Sequence, residues 1–465
     1  MKSAARSPSD HTGSIGPATL SFAIALLAIY TIYILVIRAD VAYMDSLRFI
    51  TYYPSIQENW LNAFAFWNQG QHTGLILQLT TWVNIAWFRL DPLIPSFLSG
   101  VVLLLISLLL CKSLPLAKNK TEKALRCAAS LVFCAMAFHP ASFELFTLDI
   151  GFGELARSLI FLCIASACFS DPTKEKSIAQ TIIISAMILF AVFLFAYGRA
   201  YIFAAAVIIT ISALRKSSTN KKFYRAVFFT TIATIVAFIG AGRFTTTASG
   251  MAGSQSILTQ IQNVSLAPIA AVGGIIGVEA YGRLNLPKLS SFFIGSLWLC
   301  MAALSTFRFI RSGQHKVNGL PVYLMAYGTI STIAFSFARG DKGPEAVMAS
   351  RYYIDLSCIS IAIIWMNMQL SFNEPKDTKK FRAATACALC LCTLGFFITT
   401  VFETKAMPYR AAYFNQLRAA VLSPLDLTTE QSRALQATSL QVAQQAKEIQ
   451  RTLNIGPYSR QAPTQ

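Results

Sequence analysis

The sequence predicts an all-α, polytopic transmembrane helical bundle, and three observations predict it. Of 465 residues, 55% are hydrophobic and only 13% charged, with a mean hydropathy of +0.53. Uninterrupted apolar runs such as Leu20 to Ile37 are long enough to cross a ~30 Å hydrocarbon layer. These runs lack the period-two alternation of a membrane barrel, which leaves helices as the way to satisfy the backbone in lipid.

Taken in chain order, residues 1–17 form a polar segment carrying Lys2 and Arg6. The first run, 18–37, is too long for a signal-peptide core and is followed by "RADVAYMD" rather than a small-residue cleavage site, so it predicts a retained helix. Further spans are expected at 93–111, 125–138, 155–170, 178–197, 200–214, 226–241, 290–307, 320–337, 352–370 and 383–402, about 11 in all with a range of roughly 10–13. As one helix, residues 178–214 would reach ~55 Å, more than a bilayer needs, so Gly198 and Arg199 mark a hairpin. The stretch "LAPIAAVGGIIGVEA" (266–280) is short and glycine-rich, and fits a re-entrant or interfacial segment. Beyond 402 the chain turns polar and Gln/Ala-rich, which predicts a helical tail over 403–465 outside the transmembrane domain of 18–402.

The formal net charge is +18. In a soluble protein this would suggest nucleic acid, but here the basic residues gather in short clusters between apolar runs: Lys112/Lys118/Lys120/Lys123/Arg126, Arg215/Lys216/Lys221/Lys222/Arg225, Arg308/Arg311/Lys316 and Lys376/Lys379/Lys380/Arg382. The positive-inside rule explains them, makes the N-terminus and these loops cytoplasmic, and puts the C-terminus outside a plasma (inner) membrane. No nucleic-acid partner is expected. All four loops fall on one side only if 38–92 makes no net crossing, so this long first outer loop carries interfacial helices, with 75–88 lying along or dipping into the outer face. The alternative is that 75–88 crosses, in which case either a further crossing exists or the charge rule fails at the loop after residue 111. The ten cysteines lie within or at the ends of apolar segments and read as small core residues; Cys387, Cys390 and Cys392 have metal-like spacing but no nearby His or acid.

Topology then sorts the chemistry. The inner loops hold mostly lysines, whereas the outer segments mix acids, arginines and aromatics, as a site requires. In the first outer loop, Trp60, Phe64 and Trp67 recur at interfacial-helix spacing. Asp45 and Arg48 share a helical face. An aspartate there, Asp45 or Asp40, can take a proton from a hydroxyl while a nearby Arg sets its ionisation. His72 in "NQGQH" is a candidate hydrogen-bonding partner to substrate. In "ARGDKGPEAVMASRYYIDL" (338–356), a helix start at Gly343–Pro344 with Arg339, Lys342, Arg351 and Tyr352 suggests a cradle for a phosphate or diphosphate headgroup. Arg199 belongs with them, since insertion needs no charge at an outer hairpin. "HPASFELFTLDIGFGELAR" (139–157) adds Glu144, Asp149 and the Glu154/Arg157 pair, with Gly151 and Gly153 relieving a bend at the membrane surface. No catalytic Ser/His/Asp motif, Walker A motif or clustered metal-ligand motif occurs.

A first span, an outer loop opening "RADVAYMD", a Trp-containing segment leading to "WNQGQHTG", many spans and a late "EAVMASRYY" together resemble the GT-C superfamily of polytopic membrane glycosyltransferases, especially its bacterial members. The resemblance covers 18 to about 402. It implies a sugar donor on polyprenyl phosphate or diphosphate, a glycan or lipid acceptor attacking at the outer face of the cell envelope, membrane lipid as surroundings, and Asp45, or else Asp40, as base. It implies no organic cofactor and permits a divalent metal without indicating one. The sequence departs from better-known members in having no adjacent acid pair in that loop and no large C-terminal domain. Two other classes stay open: a transporter or flippase of a lipid-linked or anionic substrate, which should place ionisable groups near the bilayer midplane, and a polymerase or ligase of lipid-linked glycans.

Overall fold

In a computed structural model the structure describes residues 15–38, 40–65, 75–148, 150–195, 198–214, 220–245, 269, 288–339, 350–374 and 377–460. His72, Lys342, Asp149 and all of the 266–280 segment but Ile269 lie outside them. The described chain is an all-α bundle: α1 (Pro17–Ile37), α2 (Asp45–Glu58), α3 (Asn62–Ala65), α4 (Leu75–Phe88), α5 (Leu93–Ser113), α6 (Lys120–Ala137), α7 (Phe143–Thr147), α8 (Gly151–Phe169), α9 (Ile178–Phe195), α10 (Arg199–Leu214), α11 (Lys221–Thr245), α12 (Lys288–Arg311), α13 (Leu320–Arg339), α14 (Tyr353–Asn373), α15 (Thr378–Leu422), α16 (Thr429–Ala434) and α17 (Leu440–Thr452). Every expected span falls on one of these helices. Among the described residues nine helices are long and apolar enough to cross a membrane, and α4, α9 and α10 are shorter apolar helices. The protein is therefore a multi-pass membrane protein by length and composition.

The helices treat lipid as their solvent. On α1, Ala23, Leu26, Tyr30, Ile34 and Ile37 recur at helical spacing and are buried, while Ile24, Ile29, Ile32 and Leu35 on the other side are exposed. A helix apolar all round is stable only where both faces meet apolar surroundings. At the centre, α14 is buried on every side through Ile363, Ile364, Trp365, Met366 and Met368.

The ends of the bundle carry different charges. At one end, Gly319 donates its backbone N–H to Phe169 (2.7 Å), Asn220 bridges to Pro172 and Lys174, and Arg308 meets Asp377. These contacts, with Ser113 against Ser166 (3.5 Å), bring together the loops that hold the lysine clusters; this is the lysine end. The opposite, arginine end gathers the C-terminus of α1, the N-termini of α5, α8, α10 and α14, and the C-terminus of α13. Arg460 binds both Asp40 (3.3 Å) and Asp91 (2.5 Å), so the stretch 38–92 leaves α1 and enters α5 at the same end of the bundle.

The last expected span, 383–402, lies inside a longer helix. That helix, α15, is 45 residues long, about 67 Å, and runs on through Pro408 to Leu422. Proline removes a helical hydrogen bond there, and Glu403 and Arg410, two turns apart, pair across it while Tyr33 donates to Glu403 (2.6 Å). Beyond this point the tail forms a second core with the first loop: Leu47, Ile50 and Trp82 pack with Phe414, Leu417, Leu435 and Ala446. Met44 donates its N–H to Leu435 O (2.9 Å), and Lys447 caps the end of α15 by donating to Ala420 O and Leu425 O.

Candidate site at the arginine end

Three helix termini converge on a buried charge cluster. Glu154 and Asp355 sit in the first turns of α8 and α14, where the helix dipole favours a carboxylate. Arg199 opens α10, where the dipole disfavours a cation, and so depends on those two acids. Its Nε donates to Asp355 Oδ2 (2.9 Å) and its Nη1 to Glu154 Oε2 (2.6 Å). Arg157 pairs with the same Glu154 oxygen, and Tyr327 donates to Asp355 Oδ1 (2.8 Å). Asp355 is 1% exposed. Removing one partner from such a buried set leaves an uncompensated charge.

Glycines make this approach possible. A Cβ on Gly328 would stand 2.7 Å from a side-chain carbon of Ile359 and 2.9 Å from its backbone nitrogen, so α13 and α14 touch backbone to backbone. That contact sets Tyr327, the residue before Gly328, against Asp355, one turn before Ile359. A Cβ on Gly151 would lie 2.0 Å from the Leu145 carbonyl oxygen, and one on Gly153 2.8 Å from a Leu77 methyl. These two positions thus serve close packing of α8 against α7 and α4, a stricter demand than the bend expected there.

Tyr352 is the meeting point of three arginines of this end. The Arg199 guanidinium stands 5.8 Å from its ring centre and 5.4 Å from that of Phe335, which stacks on Tyr352 at 4.2 Å. Arg351 lies 5.5 Å from the ring, and Arg339 Nε donates to the hydroxyl (3.2 Å). The structure therefore brings together Arg199, Arg339, Arg351 and Tyr352 of the expected site. It gives Arg199 a different duty: with two carboxylates on it, it holds the aromatic platform rather than offering free charge.

The two aspartates of the first loop have separate surroundings. Asp40 is 5% exposed and accepts from Arg418 (3.0 Å) and Arg460 (3.3 Å), fastening the tail. Asp45 begins α2, one turn before Arg48, with 3.9 Å between the charged groups. Arg48 Nε and Nη2 are buried without a hydrogen-bond partner among the described residues.

Beneath the cluster lies a cavity of about 50 Å³, enough for a few waters, bordered by Tyr327, Asp355, Tyr323, Leu162, Ile106 and Ile361. The Tyr323 hydroxyl is buried with no partner among the described residues. No group of three or more His, Cys, Asp or Glu able to hold a metal ion occurs among them.

Sequence reasoning missed Asp355, although "RYYID" contains it one turn past Arg351; an acid at the head of an apolar helix is the signal that would have found it. It also missed Glu403, Arg410, Arg418 and Arg460, because the chain beyond 402 reads as a polar helical tail separate from the transmembrane domain. Comparison with protein-family profiles, with curated proteins and with solved structures gives no match.

Proposed function

We propose that the protein is an integral-membrane glycosyltransferase that moves a sugar from a polyprenyl-phosphate donor to a glycan or lipid acceptor of the cell envelope, at the periplasmic face of the inner membrane. The observation that carries this reading is the convergence of Arg339 and Arg351 on Tyr352, beside a neutralised Arg199 hub, at the end of the bundle opposite the lysine loops. A departing polyprenyl phosphate needs fixed cations at headgroup depth, and arginine supplies them in a planar, multidentate form. The acceptor hydroxyl gives its proton to a carboxylate at the same end. The charge clusters support the orientation, with the lysine end in the cytoplasm.

The test is transfer by the purified protein in liposomes, from undecaprenyl phosphate carrying radiolabelled hexoses or pentoses to an envelope glycan extract. Transfer is expected, with Arg351→Met raising the donor KM at least about tenfold, as loss of a charge-assisted phosphate contact should. No transfer from any of these donors by folded protein overturns the reading.

A second reading rests on a specific observation. Asp355, Tyr327 and Tyr323 carry polar groups into the bundle and line its cavity, and intramembrane ionisable groups mark solute or proton paths in transporters. Uptake of an anionic solute by the same liposomes, without sugar transfer, would replace the first reading with this one.

A further inference from the structure

The carboxylates of the arginine end differ in how completely they are neutralised. Asp40 accepts from Arg418 and Arg460, and Asp91 pairs with Arg460. Glu154 and Asp355 share Arg199 and have Arg157 and Tyr327 as further donors. Glu403 is held by Arg410 and Tyr33. Asp45 faces Arg48. Glu144 is unlike them: its Oε2 is buried with no hydrogen-bond partner among the described residues.

Its position is equally distinctive. The backbone N–H of Glu144 donates to Ser350 Oγ (3.3 Å), the residue immediately before Arg351. Arg351 Nε is also buried without a hydrogen-bond partner among the described residues. An acid and a guanidinium edge, each with unused hydrogen-bonding capacity, thus hang from two short segments tied together by one bond. A carboxylate already accepting from arginine is a poor proton acceptor, because its cation favours the ionised form. An unneutralised one is suited to take a proton in the transition state.

We infer, building on the glycosyltransferase reading, that Glu144 rather than Asp45 is the catalytic base, with Arg351 beside it on the leaving phosphate. The acceptor hydroxyl oxygen forms its bond to the anomeric carbon of the donor sugar as the bond from that carbon to the phosphate oxygen breaks. The hydroxyl proton passes to the Glu144 carboxylate. The polyprenyl phosphate departs with the bonding electron pair, its new charge met by Arg351 and Arg339.

The experiment compares wild type, Glu144→Gln, Glu144→Asp and Asp45→Asn in liposomes, using the same panel of radiolabelled undecaprenyl-phosphate hexoses and pentoses and envelope glycan extract across a pH series. Glu144→Gln is expected to lower kcat at least about a hundredfold, to leave the donor KM within about twofold because uniform binding is intact, and to abolish the acid limb of the kcat profile. Asp45→Asn is expected to keep that limb. If Glu144→Gln retains more than a tenth of kcat, or if the limb is lost in Asp45→Asn instead, the inference is wrong while the transferase reading stands. A folded wild type that transfers no sugar sinks both. Should the glutamine variant not fold, Glu144→Asp decides: withdrawing the carboxylate by one methylene lowers kcat at least about tenfold if it takes the proton, and an unchanged kcat rejects that role.

Discussion

At the lysine end, Asp377 pairs with Arg308 at 3.5 Å and with Lys380 at 3.0 Å, through side chains of which Lys380 is 78% exposed. At the arginine end, Arg199 pairs with Asp355 at 2.9 Å, and the aspartate side chain is 2% exposed. Both ends carry many basic residues, yet Lys380 is displayed to solvent while Arg157 and Arg199 are buried against acids. Lysines in solvent serve insertion and cost little; buried arginines require partners placed by several helices at once. On the proposed reading, the contrast separates charge that orients a chain in a membrane from charge that builds a site.

The sharpest way to break this comparison is to remove the hub. Arg199→Met leaves Glu154 and Asp355 sharing a buried space without their common cation. Loss of about 3–5 kcal/mol is expected, as for one partner of a buried pair, seen as a fall in the unfolding temperature in detergent and loss of any transfer activity. Recovery in a double variant with Asp355→Asn would show that the cost lies in the stranded charge. A single variant as stable as wild type would mean that the cluster is not buried as described.

Glycines give a second comparison. At the arginine end a Cβ on Gly151 would meet the Leu145 carbonyl oxygen at 2.0 Å, which is backbone and cannot turn aside. At the lysine end a Cβ on Gly319 would meet a Leu214 methyl at 3.0 Å, which can. Gly151→Ala is expected to destabilise by about 1–3 kcal/mol, in the range of overpacking, and Gly319→Ala by less. Thermal unfolding of both variants, side by side, checks the order.

These two comparisons also mark what was legible in the sequence. Each expected span falls on a helix because twenty apolar residues in lipid have few alternatives, and the two charge patterns separated because insertion acts on local clusters. The grouping of Arg199, Arg339, Arg351 and Tyr352 was readable as a shared face. Their division of labour was not. Asp355 lies 156 residues from Arg199 in sequence, and only the close crossing at Gly328 brings Tyr327 onto it. Nor did composition indicate that α15 runs on past 402, since a helix leaving lipid turns polar whether or not it ends. The pairing of Glu403 with Arg410 across Pro408 is set by tertiary contact with Tyr33.

A smaller effect is expected where the tail is fastened. Arg460 joins Asp40 to Asp91 with its side chain 31% exposed, and Arg418 remains on Asp40 if it is lost. Arg460→Gln should therefore cost about 1 kcal/mol or less, too little to unfold the bundle. It should show first as faster protease cleavage between α15 and α16, because local opening is sampled before global unfolding. Cleavage no faster than in wild type would mean that the apolar packing of Phe414, Leu417 and Leu435 holds the tail without its ion pair.

The smallest effect belongs to the lysine end. Lys380, by hydrogen bond and then by charge, and more weakly Arg308, hold the Asp377 carboxyl below its usual value. A depressed carboxylate pKa gives stability that is present above the unfolded value of about 3.9 and lost as pH falls through the folded one. Here the group is open to water, and salt screens it. Asp377→Asn should lower the unfolding temperature near neutral pH by only a small, salt-sensitive amount, and should match wild type well below about pH 4, where the wild type has lost the same contribution. If it instead destabilised as Arg199→Met does, ion pairs at the two ends would be equivalent, and burial at the arginine end could no longer be taken as the mark of a site.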